Sequence, residues 1–107
     1  MQGYQLTFFT QQDRRHKGMA LGDWLVHLAK ELGLQGATLF SGGEGIGRHH
    51  HLHSARFFDL ADQPIEIVMV VTLAESEILF ERLTLEDVHL FYVKTPVEFG
   101  MLGESNQ

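Results

Sequence analysis

Two kinds of chemistry-bearing residue crowd one stretch of this chain, GATLFSGGEGIGRHHHLHSARFFD from Gly36 to Asp59. Glycine recurs at Gly42, Gly43, Gly45 and Gly47, Arg48 follows, and then come His49, His50, His51, Leu52 and His53. Closely spaced glycines supply the positive φ that a tight hairpin or loop needs. The backbone N–H groups of such a loop can also surround an anion. Arg48 adds a permanent charge with paired donors suited to phosphate or carboxylate. The histidines offer a different chemistry. In an extended segment His49, His51 and His53 share one side, and three imidazoles on one side suit zinc, copper or nickel. They are equally what a solvated loop would carry. The anion is the preferred ligand, because Arg48 beside a dication is badly placed and no carboxylate follows the histidines closely. Catalysis has little support. Ser41 and Ser54 lie near histidines and Glu44, yet no nucleophile–base–orienter order emerges. The glycines do not form the GxGxxG of a strand-to-helix dinucleotide turn.

The elements that must position this stretch can be placed on either side of it. Tyr4–Thr10 alternates as a strand, with Tyr4, Leu6 and Phe8 on one face and Gln5, Thr7 and Phe9 on the other. Gln11–Lys17 is polar and expected to be a connection, its basic run Arg14, Arg15, His16 and Lys17 solvated. A helix from about Met19 to Leu32 follows, its stripe Leu21, Leu25, Leu28 and Leu32 widened by Trp24. Gly33 suits a left-handed helix end, with Leu34 closing it. Ala37–Phe40 is the second strand. Leu52–Leu60 is expected to hold a short strand or half of a hairpin arm, turning at Asp59, Asp62 and Pro64. Ile65–Leu73 is the most apolar run, β-branched and therefore a strand. Thr72 and Glu75 have capping-box spacing, opening a helix to about Leu83 with Ile78, Leu79 and Leu83 inward. Val88–Val97 is the last strand, ended by Pro96, and the tail from Gly100 is expected to fray. His27 and His89 are assigned to packing or surface.

Bulk properties narrow the class. At 107 residues, the chain is expected to be a single domain over 1–107. It is 44% hydrophobic and 21% charged, an ordinary globular composition. The absence of cysteine removes disulfides and thiolate metal sites and fits a reducing compartment. A net charge of −6 argues against nucleic acid as partner. No basic-then-apolar N-terminus marks a signal peptide, and no apolar run approaches the roughly 20 residues of a bilayer span. A cytoplasmic location without membrane insertion is expected.

The element order β-α-β-loop-β-α-β is that of an α+β, ferredoxin-like βαββαβ sandwich: a four-stranded antiparallel sheet with two helices on one face. Two helices cover one face only, whereas the strands are apolar on both. Ile65, Ile67, Met69, Val71 and Leu73 oppose Val68 and Val70, and Val88, Leu90 and Tyr92 oppose Phe91 and Val93. Such a face marks an interface. Oligomerisation is preferred to a fifth strand or a folded-over tail.

Two blocks in order resemble a known family. ELGLQGATLFSGGEGIG, Glu31–Gly47, resembles the helix end and GATV-x-x-G-x-E-G-x-G signature of the PII-like family called "domain of unknown function one-ninety". LHSARFFDLADQPIEI, Leu52–Ile67, resembles its next block. With the helix opening near Lys17 and Gly18, the match spans roughly residues 4–95. The resemblance implies a PII-like homotrimer with nucleotide clefts between subunits, beside the long loop that leaves the second strand. Glu44–Arg48 is similar to the start of that loop, and His53 matches the second block. The ligand-binding set is therefore Gly42, Gly43, Glu44, Gly45, Gly47, Arg48 and His53. This chain differs from PII proteins elsewhere. LTLEDVHLF lacks their Gly-rich, Lys-bearing phosphate loop, and the tail lacks their Arg-Thr-Gly-Glu.

The expected function is that of a trimeric PII-like signalling or regulatory protein rather than an enzyme. It would bind a small anionic effector, an adenine nucleotide being the candidate, with segment Gly42–His53 signalling to an unidentified protein partner. The alternative is a metal-binding trimer resembling the CutA proteins, with His49, His51 and His53 as ligands.

Overall fold

The computed structural model describes residues 1–41 and 64–103. Strand β1, Gln2–Gln11, lies at the sheet's centre between β5, Pro64–Thr72, and β6, Phe91–Glu98. The fourth strand, β4 (Thr38–Ser41), borders β5, giving the order β4-β5-β1-β6. All three pairings are antiparallel. This is the ferredoxin-like α+β arrangement, with helices α1 (Leu21–Glu31) and α2 (Leu73–Leu85) on one face.

The core follows from the register. Leu6 stands opposite Met69 and Phe8 opposite Ile67. These four, with Val71, join Leu25, Leu28 and Ala29 of α1 and Leu79 and Leu83 of α2 in one buried cluster. The period-2 reading of β1 and β5 and the leucine stripe of α1 are thus both realised. Leu32, expected in that stripe, is half-buried beyond the helix end.

Helices α1 and α2 end in the same motif. Gly33, at φ +76°, lets its own N–H reach Lys30 O at 3.1 Å and Leu34 N–H reach Ala29 O at 2.9 Å. Leu34 then folds into the core, as the Schellman geometry requires. At the end of α2 the left-handed position falls to Asp87, at φ 57°. Its N–H reaches Thr84 O at 3.1 Å, and Val88 N–H reaches Leu83 O at 3.2 Å. The capping box at the start of α2 is present in both directions: Glu75 N–H donates to Thr72 Oγ1 at 3.1 Å and Thr72 N–H to Glu75 Oε1 at 2.9 Å.

Several expectations are corrected. Gln11–Lys17 is more than a connection, because β2 (Arg15–His16) pairs with β3 (Met19–Ala20) in a small antiparallel hairpin. Lys17 and Gly18 form its turn, both at positive φ, the condition for a type I′ turn. Met19 therefore belongs to the hairpin, and α1 starts at Leu21. Ile78 is 51% exposed, and Ser76 takes the inward position with Leu79 and Leu83. Leu73 opens α2 instead of closing β5. The last strand begins at Phe91, not Val88, and Pro96 lies within it opposite Tyr4. An edge strand tolerates proline where the missing N–H would face outwards. The strand expected over Leu52–Leu60 lies outside the described residues.

Candidate functional site

Residues Gly42, Gly43, Glu44, Gly45, Gly47 and Arg48, with His49, His51 and His53, lie outside the described residues, as does Ser54. What the structure defines is the frame they depart from and return to. Ser41 ends β4 and Pro64 opens β5. The end of β1 and the start of α1 lie at this same end of the sheet, since Ser41 pairs with Ile65 and Thr10 pairs with Ile65 from the other side.

On the helix side of this end, a cleft of about 170 Å³ opens between Gln11, Gln12, Ala20, Gly22, Asp23, Leu39, Ser41 and Ile65. Its floor is apolar and close-packed at Gly22, where a Cβ would come 3.1 Å from Leu39 Cδ1 and 3.2 Å from Ile65 Cγ2. Its rim carries two amides, a hydroxyl and a carboxylate. Ala20, the residue before α1, provides no side-chain cap.

On the opposite face, which carries no helix among the described residues, one row crosses all four described strands. Phe40 pairs with Glu66, Glu66 with Phe9, and Phe9 with Phe91. The Phe9 and Phe91 rings are 5.6 Å apart at 52°. Glu66 is buried, at 5% exposure, although it faces away from the helices, while Phe40 and Phe91 are 38% and 48% exposed. A carboxylate between aromatic rings can accept hydrogen bonds from an amino group while the rings stack against a planar ligand. Sequence reading passed over Glu66. The signal available was its alternation with Ile65 and Ile67, which places it on the face opposite the core. Val68, Val70 and Val93 continue that face as partly or largely exposed aliphatic surface.

A charge cluster fastens the β2–β3 hairpin to the helix ends. Glu86, just past α2, receives His16 Nε2 at 3.1 Å and Lys17 Nζ at 3.0 Å, while Arg82 Nε lies 3.7 Å away. Arg82 also reaches Glu31 of α1 at 2.7 Å. The imidazole of His16 packs against the Trp24 ring, centroids 4.3 Å apart. Hydrogen bonding from His16, then Lys17, holds the Glu86 carboxyl below its ordinary value. The Glu31 carboxylate holds the Arg82 guanidinium above its own. His27 is exposed on α1, and His89 is exposed with its ring 3.3 Å from Asp87. Among the described residues, no group of three or more His, Cys, Asp or Glu side chains converges as a metal ion would require. Among them, too, no helix is long and apolar enough to cross a membrane.

Comparison with known proteins gives a concordant picture. The model of the DUF190 family, described as "Uncharacterized ACR", matches residues 3–89. A "UPF0166 protein" of Aquifex aeolicus (strain VF5) is 29% identical over 100 residues, covering 82% of this chain and 92% of that relative. Among solved structures, CPII from Thiomonas intermedia K12, bound to ADP, AMP and acetate, superposes with a TM-score of 0.62. The identity is 17%, over 94% of this chain and 90% of the other. A putative PII-like signaling protein from Thermus thermophilus gives 0.58 at 21% identity, over 91% and 88%. Both structural likenesses concern the fold, which is PII-like and ferredoxin-like.

Proposed function

The chain belongs to the DUF190 family, and on that premise we propose that it is a PII-like regulatory protein binding a small anionic effector, an adenine nucleotide first among candidates. The observation that carries this reading is the row Phe40–Glu66–Phe9–Phe91 on the face opposite α1 and α2. It places exposed ring surface of Phe40 and Phe91 at the end of the sheet where segment 42–63 departs. A planar base is the chemistry that surface suits. Gly42, Gly43, Gly45, Gly47 and Arg48 would meet the phosphates, with Glu44 and His53 in the same segment. The fold shared with CPII, seen with ADP and AMP, supports this choice of ligand class.

The rest of the proposal concerns assembly and output. The partly exposed aliphatic surface of Val68 and Val70, with exposed Val93, is the material of a subunit contact, and a homotrimer of single-domain chains over 1–107 is the arrangement proposed. Segment Gly42–His53 would report occupancy to a protein partner in the cytoplasm. The role is binding, not catalysis.

A thermal-shift screen with ADP, AMP, ATP and divalent metals, paired with light scattering, tests the reading. A ligand that binds only the native state raises the melting temperature. A stable monomer at micromolar concentration would remove the trimer. A shift with zinc and none with any nucleotide would remove the effector.

A further inference from the structure

If the effector carries phosphate, a cation must meet it, and most described cations at this end of the molecule are already committed. Lys17 and Arg82 serve Glu86, and Arg82 also serves Glu31. Arg15 Nη2 donates to Gly18 O inside its own turn at 2.9 Å. Arg14 is different. Its Nη2 donates to His89 O at 3.0 Å, so the guanidinium stands over the connection from α2 to β6. Residues Asp87–Leu90 of that connection contain no Lys or Arg.

The backbone of Arg14 is held from both directions. Its N–H donates to Gln11 O at 3.1 Å, and its carbonyl accepts from Leu21 N–H at 2.8 Å. Gln11 lines the helix-side cleft, and Leu21 lies between Ala20 and Gly22, which also line it. The side chain is exposed, and among the described residues it forms no ion pair. A carbonyl oxygen occupies one of its N–H donors and leaves the charge and the remaining donors available. A side chain already fixed at one point loses less conformational freedom when an anion arrives. Asp87, the carboxylate on the same connection, lies with Oδ1 3.3 Å from the His89 ring.

We propose that Arg14, tethered to the His89 carbonyl, is an anion-binding residue that takes a phosphate of the effector. The inference rests on the effector reading above and names a residue outside the glycine-rich segment. A plain structural tie between two connections is the competing role. The charge distinguishes them, because a tie contributes to stability and an anion site contributes to affinity.

Heteronuclear NMR can follow the Arg14 Nε–H and the His89 amide directly. Inorganic pyrophosphate and ADP would be titrated separately into the parent, Arg14→Gln and Arg15→Gln. Pyrophosphate is expected to move both resonances in the parent. Arg14→Gln should weaken both ligands about tenfold or more, the factor carried by one lost charge-assisted hydrogen bond. Arg15→Gln should keep the parent's affinity. Parent resonances that pyrophosphate leaves unmoved would overturn the assignment. So would an Arg14→Gln variant that melts lower yet binds pyrophosphate as tightly as the parent. Loss of pyrophosphate binding in Arg14→Gln, with ADP no tighter than pyrophosphate in the parent, would support the assignment and sink the nucleotide reading.

Discussion

Gly3→Ala is the substitution whose cost the structure specifies best. Gly3 lies near the start of the central strand β1, paired with Thr72 on β5 and Val97 on β6. A Cβ built there overlaps the carbonyl oxygen of Val71 and comes 2.8 Å from the Phe99 ring and 2.9 Å from the Val71 carbonyl carbon. The Phe99 ring could turn aside. The Val71 peptide cannot, because it belongs to the ladder that joins β5 to β1. Overpacking of this kind typically costs about 1–3 kcal/mol and more where backbone must shift. Alanine in a strand interior recovers roughly 0.5–1 kcal/mol over glycine. With backbone overlapped, the cost is taken at the top of that range, so the net loss expected is about 2–2.5 kcal/mol, or a fall in melting temperature of about 8–20 °C for a domain of this size. Circular dichroism melts at matched protein concentration would measure it. A variant that melts within about 3 °C of the parent would mean that β1 and β5 do not approach as described, and would refute the register on which the site's geometry depends.

Other substitutions should behave differently for equally local reasons. Gly22→Ala meets side-chain atoms of Leu39, Ile65 and Ile67, with no backbone atom among its three nearest neighbours, and gains helix propensity of about 1 kcal/mol. Urea denaturation should therefore place it within about 1 kcal/mol of the parent, and a loss as large as that of Gly3→Ala would show a rigid cleft floor. Asp87→Gly relieves a left-handed non-glycine position; chemical denaturation should show stabilisation of about 0.5–1 kcal/mol. Glu86 has a carboxyl whose value is lowered in the folded state by His16 and Lys17. Its stabilising contribution is therefore present above the ordinary carboxylate range and is lost as pH falls through the lowered folded value. Glu86→Gln should melt below the parent near neutrality, and the gap should close on acidification; a gap independent of pH would show that the charge contributes nothing.

Legibility in the sequence tracked how far each feature is set by its own neighbours. The leucines of α1, the Gly33 helix end and the Thr72–Glu75 box are local patterns with one physical solution each, and all three are realised. Ile78 was misplaced because hydrophobicity alone cannot say which side of a helix meets a sheet. The contact settles it, and small Ser76 allows the close approach. Pro96 suggests a strand end from sequence because edge and interior strands cannot be told apart before pairing is known. The two-residue strands of the hairpin are too short to carry a period, and Lys17–Gly18, expected where the helix opens, is its turn. At the site, glycines and histidines were conspicuous by type. Glu66 and Arg14 were not, since one becomes notable through the Phe40 and Phe9 registers and the other through a carbonyl 75 positions away.

Calorimetric titration of ADP and of zinc into three proteins tests the central claim most directly: the parent, Arg48→Ala, and the paired His49→Ala and His51→Ala variant. The account predicts ADP binding by the parent that weakens with added salt, because screening acts on the guanidinium–phosphate attraction. It predicts a loss of about tenfold or more in Arg48→Ala and little change in the histidine variant. A parent indifferent to ADP that binds zinc, with zinc binding abolished in the histidine variant and kept in Arg48→Ala, would contradict it and put the metal-binding trimer in its place.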